Sequence, residues 1–103
     1  MVYNIKLSPI AESDLDSIVS YYHTLNPSTA KRYFREIFIK IRSLKDFPLI
    51  GRIVPECMDI YYDKYRELIY ENYRIIYRIE ADVIYIIRIL DARMDMDFTI
   101  FGL

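Results

Sequence analysis

The stretch Tyr65–Arg93, YRELIYENYRIIYRIEADVIYIIRILDAR, contains no glycine or proline and is dominated by Tyr, Ile, Val, Leu and Arg. Such residues fit a pleated, half-buried surface, so the stretch predicts three consecutive β-strands. Two short polar breaks, Glu71-Asn72 and Ala81-Asp82, fall where hairpin turns belong. A two-residue turn at Glu71-Asn72 sets Tyr70 opposite Tyr73, Leu68 opposite Ile75 and Arg66 opposite Tyr77, each pair sharing one mostly apolar side. The other side then carries Tyr65, Glu67 and Ile69 against Arg74, Ile76 and Arg78, which reads as a polar surface with arginines at fixed spacing. Function is expected there or beside it.

The preceding half reads as a short strand and two helices. Met1 to Leu7 is β-prone, with Val2, Ile5 and Leu7 apolar, and Ser8-Pro9 supplies an N-cap followed by a residue with no N–H to leave unpaired. Ala11, Leu15, Ile18, Val19 and Tyr22 follow at helical spacing, predicting an amphipathic helix to about His23. Leu25-Asn26-Pro27-Ser28 repeats the cap chemistry, and Ala30, Tyr33, Phe34, Ile37, Ile41 and Leu44 form the buried stripe of a second helix. The connection is short enough to require a helical hairpin. Phe38 and Ile39 fall outside that stripe, either as a partner-binding face or as residues packed under the following loop.

Phe47-Pro48-Leu49-Ile50-Gly51-Arg52 breaks the second helix, and Ile53 to Lys64, without a clear period, reads as an extended connection. From Met94 onward, Met96, Phe98 and Ile100 alternate with Asp95, Asp97 and Thr99, as in a half-buried strand or an extended tail. The element order is β-α-α-β-β-β with a possible final strand. It predicts an α+β fold in one domain over residues 1–103, a helical hairpin packed on an antiparallel sheet.

Composition removes several function classes. Lys plus Arg number 14 and Asp plus Glu 15, so there is no global basic excess to signal nucleic acid. One cysteine, Cys57, and one histidine, His23, argue against a disulfide, a histidine cluster or a structural metal, and no cofactor is expected. The only glycines, Gly51 and Gly102, give no phosphate loop. No apolar run approaches the roughly 20 residues of a membrane span, and MVYNIKLSP lacks a signal-peptide pattern, so a cytoplasmic protein without membrane contact is expected. What survives is a set of arginines at 66, 74, 78, 88 and 93. Guanidinium groups bind phosphate in a bidentate manner, yet Glu67, Glu80 and Asp91 can equally pair with them as a solvated face.

The chain resembles the RelE/ParE superfamily of toxins from type II toxin–antitoxin pairs, and more closely its ParE-like, plasmid-stabilisation branch. The resemblance rests on SPIAESDLDSIVSYY, NPSTAKRYFREIFIKIRSLKDFP, the turn IGRIVPE, YRELIYENYRIIYRI and VIYIIRILDARMD, taken in order. It implies the β-α-α-β-β-β fold and a cognate antitoxin as partner, for which Phe38, Ile39, Met96 and Phe98 are candidate contacts. RelE-like members cut mRNA on the ribosome, whereas ParE-like members act on DNA gyrase. On the nuclease pattern Arg66, Arg74 and Arg93 would be catalytic. On the gyrase pattern Arg74, Arg78 and Arg93 would meet the target. The C-terminal region where the nuclease branch often has a tyrosine reads MDMDFTI, with Phe98, and phenylalanine has no hydroxyl to move a proton. A gyrase-directed, non-enzymatic toxin is therefore the expected reading, with Arg74 and Arg93 serving function more than folding.

Overall fold

The computed structural model describes residues 2–57 and 64–94. In chain order it comprises β1 (Asn4–Leu7), α1 (Pro9–Leu25), α2 (Pro27–Ser43), β2 (Arg52–Ile53), a single 3₁₀ turn (Pro55–Cys57), β3 (Tyr65–Tyr70), β4 (Tyr73–Glu80) and β5 (Val83–Asp91). The strands form one sheet in the order β1-β5-β4-β3-β2. Strands β3, β4 and β5 make the antiparallel meander, and β1 adds to β5 in parallel, so the sheet is mixed.

Both helices start as the cap residues require. Ser8 Oγ accepts the Ala11 N–H at 3.0 Å and Pro9 follows at the first helical position. Asn26, in extended backbone, joins the two helices: its N–H donates to Tyr22 O, and its side chain accepts from Ser28 N at 2.8 Å. That shared residue carries α1 to Leu25, two residues past the expected end. The Tyr22 and Tyr33 rings then stack at 3.8 Å between centroids, closing the hairpin.

The inner face of the sheet packs on both helices. Ala11, Leu15 and Ile18 of α1 and Tyr33, Ile37 and Ile41 of α2 meet Tyr73, Ile75, Tyr77, Ile84, Ile86 and Ile89 in one buried cluster. Phe34, expected in this stripe, lies instead on the exposed side of α2, where its ring stacks on Phe38 at 6.0 Å between centroids. The register of the first hairpin is Tyr70↔Tyr73, Leu68↔Ile75 and Arg66↔Tyr77, as its two-residue turn dictates. Glu71 and Ala81 open the two turns with φ of 51° and 55°. The β4–β5 ladder shifts between Ile76 and Tyr77, leaving Ile87 as an extra residue on β5. Ser8 Oγ donates to the Ile87 carbonyl at 2.9 Å and so satisfies the oxygen that the bulge displaces.

The outer face differs most from the expected polar surface. Val54, between β2 and the 3₁₀ turn, and Cys57, at the end of that turn, fold over it and bury Tyr65, Ile76 and Leu90 in a second, smaller core. Part of the supposed extended connection is thus a lid of side chains on the sheet. The alternating tail beyond Met94, with Met96 and Phe98, lies outside the described residues.

Candidate functional site

The lid brings charged groups with it. Glu67 on β3 is 1% exposed and Arg74 on β4 is 8% exposed. Arg74 Nε donates to Glu67 Oε1 at 2.6 Å, while its two terminal nitrogens form a fork on Glu56 at 2.7 Å each. Arg52 Nε donates to the other oxygen of Glu67 at 2.6 Å. Two guanidiniums and two carboxylates therefore close a network in which all three nitrogens of Arg74 are engaged. The fork from Arg74 pulls the Glu56 carboxyl below its usual range, and the two acids hold Arg74 firmly protonated. Cys57 is buried beside this network, and that burial pushes its thiol up.

The other arginines have different settings. Arg93 follows β5 in an exposed turn, where its Nη2 donates to Asp91 Oδ2 at 2.6 Å and its backbone N–H to Asp91 Oδ1 at 2.9 Å. Asp91 is the register partner of Tyr73 on the inner face, whereas Arg74 faces the outer core. Arg88, the register partner of Ile76 next to the bulge, reaches Asp14 of α1, which its Nε and Nη2 grip at 2.8 and 3.0 Å. The nuclease-type set Arg66, Arg74 and Arg93 is thus distributed: one lies at the mouth of a cleft, one in a buried ion network and one in a turn.

The structure does bring Arg66 and Arg78 together. With Lys64, Leu49, Tyr77 and Ile79 they line a cleft of about 430 Å³ at the end of the β3–β4 ladder. Its loop wall is fixed by a polar clasp. Gly51 N donates to the Tyr77 hydroxyl at 3.0 Å, that hydroxyl donates to Pro48 O at 2.8 Å, and Arg66 Nη1 donates to Gly51 O at 2.8 Å. Burial raises the Tyr77 pKa, keeping the hydroxyl a donor. Gly51 is required here by close approach, because a Cβ would stand 2.6 Å from the Tyr77 oxygen and 2.8 Å from Glu67 O.

A second surface lies on the opposite side. Phe34, Phe38 and Ile39 are exposed on α2, and a groove of about 340 Å³ runs between Phe38 and Ile41 of α2 and Ile5 and Leu7 of β1, rimmed by Arg42 and Lys45. β1 is an edge strand, so its outer backbone groups border this groove. Of the expected antitoxin contacts, Phe38 and Ile39 lie here.

Sequence reasoning missed Lys64, Glu56 and the exposure of Phe34. The Glu67–Arg74 pair was visible in the register, since the two are diagonal neighbours on one face of the hairpin. Lys64 stands at the end of an aperiodic run and gives no such signal. Among the described residues no group of three His, Cys, Asp or Glu is placed to hold a metal ion, and no helix is long and apolar enough to cross a membrane.

A helical hairpin on one face of a mixed, meander-based sheet, with a charged outer layer and an apolar helix face, defines the α+β toxin fold of toxin–antitoxin pairs. The chain belongs to the family described as the ParE toxin of the type II toxin-antitoxin system, parDE, whose model matches residues 5–96. Among solved structures it is similar to the chromosomal ParDE system from P. aeruginosa, with 24% identity, a TM-score of 0.69, and 85% of this chain and 94% of that chain covered. It is also similar to the RelBE2 toxin–antitoxin complex from Mycobacterium tuberculosis, with 20% identity, a TM-score of 0.59, and 86% and 96% covered. Comparison with curated proteins gives no match.

Proposed function

We propose that this toxin inhibits growth by binding DNA gyrase, without cutting RNA, and that a cognate antitoxin neutralises it by covering the α2–β1 groove. The observation that carries the first part is the state of Arg74. A nuclease needs cations free to stabilise charge that develops on the transferring phosphate, and Arg74 has every nitrogen committed to Glu56 or Glu67. Arg93 remains at the surface and is the arginine proposed to meet the target. The choice of gyrase rests on the ParE family and its branch resemblance.

The second part rests on exposed apolar surface. Phe34 and Phe38 stack on each other on the exposed side of α2 beside an apolar groove, Ile39 is exposed on the same helix, and the edge of β1 lies next to the groove. An amphipathic helix with acidic flanks fits the face and its Arg42 and Lys45 rim, and an extended segment fits the strand edge. Both solved neighbours are toxin–antitoxin assemblies.

The test is a supercoiling assay with purified gyrase beside a cleavage assay on translating ribosomes. The expected result is loss of supercoiling with mRNA intact. Cleavage of mRNA with gyrase unaffected overturns the target assignment, and silence in both assays marks a chain that keeps only antitoxin binding.

A further inference from the structure

We infer that, free of an antitoxin, this chain pairs with a second copy of itself through the outer face of the helical hairpin, α1 of each copy lying antiparallel on α2 of the other. This goes beyond the choice of toxin target and does not depend on it. It shares with the function proposed above only the accessible face of α2.

Charge on the hairpin is divided by helix. α1 carries Glu12, Asp14 and Asp16 and no Lys or Arg, whereas α2 carries Lys31, Arg32, Arg35, Lys40 and Arg42 against Glu36 alone. Asp14 is spent on Arg88, and Arg32 reaches Glu71. Glu12, Asp16 and Arg42 are exposed and form no ion pair with any described residue, and Arg35 has only a 3.7 Å contact with Glu36. Opposite charges thus stand on neighbouring helices without pairing inside the chain. Interspersed with the cations of α2 are the Phe34 and Phe38 rings, 46% and 42% exposed and stacked on each other. The exposed positions of α1 include Ser13, Ser17 and Ser20, whose small side chains leave room for a ring. Acid, base and ring all belong to one chain, which is what a self-complementary interface needs.

Symmetry selects the pairing. The Tyr22–Tyr33 stack sets the levels of the two antiparallel helices, each step back along α1 matching one step forward along α2, so Asp16 is level with Ile39 and Glu12 with Ser43. A two-fold axis parallel to the helices lays α1 on the partner's α2 at these same levels. Glu12 then meets the partner's Arg42, and Asp16 lies between the partner's Arg35 and the partner's Arg42. An axis across the helices instead sets acid on acid and base on base, which repels. Two helices of 17 residues, each about 25 Å long and about 9 Å apart, offer each copy on the order of 500 Å². That is the low end of specific interfaces and sets a dimer of micromolar strength, weak enough for an antitoxin helix with acidic flanks to displace.

The test is sedimentation velocity of the full chain at low salt from about 1 to 200 µM, the range in which so small an interface assembles. The wild type is expected to pass from its monomer mass of 12.5 kDa to twice that mass as concentration rises. Two reversed variants, Glu12→Lys with Asp16→Lys and Arg35→Glu with Arg42→Glu, are each expected to weaken self-association by about thirtyfold or more. An equimolar mixture of the two is expected to recover a dimer with one copy of each. Glu80→Lys, at the exposed end of β4, should leave association unchanged. Where a reversed variant melts below the wild type, Glu12→Gln with Asp16→Asn and Arg35→Gln with Arg42→Gln replace the two, each expected to weaken the dimer about tenfold. A chain that stays monomeric at the highest concentration overturns the proposal and leaves α2 to an antitoxin alone. A dimer that both reversed variants retain, a mixture that stays monomeric, or equal weakening by Glu80→Lys overturns this interface.

Discussion

Arg74 Nε donates to Glu67 Oε1 across 2.6 Å, and the Glu67 side chain has no exposed surface. Removing one partner of such a pair strands the other charge in an interior where it is poorly solvated, typically at a cost of about 3–5 kcal/mol. Arg74→Met is therefore expected to destabilise the protein by about that amount in urea denaturation. The double variant Arg74→Met with Glu67→Gln should recover part of the loss, because both charges leave together. This replaces the sequence-based expectation that Arg74 contributes little to folding. Wild-type stability in Arg74→Met would show the network to be incidental.

Tyr77 and Gly51 form a second dependent pair. Gly51→Ala forces a methyl into space held by the Tyr77 oxygen and Cε1, at 2.6 and 2.7 Å, and should cost about 1–3 kcal/mol as overpacking. Tyr77→Phe leaves the Gly51 N–H without its acceptor and should cost about 1–3 kcal/mol. Because one hydroxyl underlies both effects, the double variant is expected to lose less than the sum. Strict additivity in chemical denaturation would count against a shared contact.

Acid should weaken the turn after β5. Arg93 holds Asp91 down to about 2, below the roughly 3.9 of an unfolded aspartate. A carboxylate whose folded pKa is depressed contributes fully above about pH 4 and loses that contribution as pH falls toward 2. Glu56, lowered by Arg74, acts in the same direction. The melting temperatures of wild type and Asp91→Asn should therefore differ most at neutral pH and converge between about pH 4 and 2. A constant gap down to pH 2 would exclude the Arg93 pair as its source.

The exposed face of α2 gives a binding prediction. Phe38→Ala and Ile39→Ala are each expected to change the stability of the free toxin by no more than about 0.5 kcal/mol, since neither side chain is in the core. Antitoxin affinity should fall by about 30- to 1000-fold, equivalent to roughly 2–4 kcal/mol for a central apolar anchor. Titration of each variant with the antitoxin from the adjacent reading frame measures this. Unchanged affinity in both would move the interface off α2.

The parts of this fold that were legible in the sequence are those governed by a period or a cap. Glu71-Asn72 set the hairpin register pair by pair, and Ser8-Pro9 and Asn26-Pro27 marked both helix starts. The lid was not legible, because a two-residue strand and one 3₁₀ turn are too short to show any period. Without Val54 and Cys57 over it, the face bearing Glu67 and Arg74 reads as solvated. Phe34 was misassigned for a geometric reason: it adjoins the true stripe at Tyr33 and Ile37, and a single residue of helix rotation separates core from surface. The basic cleft was half visible, through Arg66 and Arg78, but its closure depends on a loop whose position is set by Tyr77.

The parallel pairing of Asn4–Leu7 with Val83–Ile86 also has a consequence for timing. Among the described residues β1, the first strand in chain order, has no neighbour in the sheet except β5, the last, and Ser8 caps α1 while bonding to carbonyls of Ile86 and Ile87. During synthesis the α1–α2 hairpin can form from local contacts alone, but the sheet edge beside it must wait until β5 has emerged. A nascent chain therefore presents the apolar helix face, with Phe34, Phe38 and Ile39, before it has the completed sheet that carries Arg93 at its end. The α2 part of the surface proposed for restraint thus matures ahead of the surface proposed for harm, and an antitoxin helix that binds α2 can engage each new molecule before the β1 side of the groove and the end of the sheet are in place.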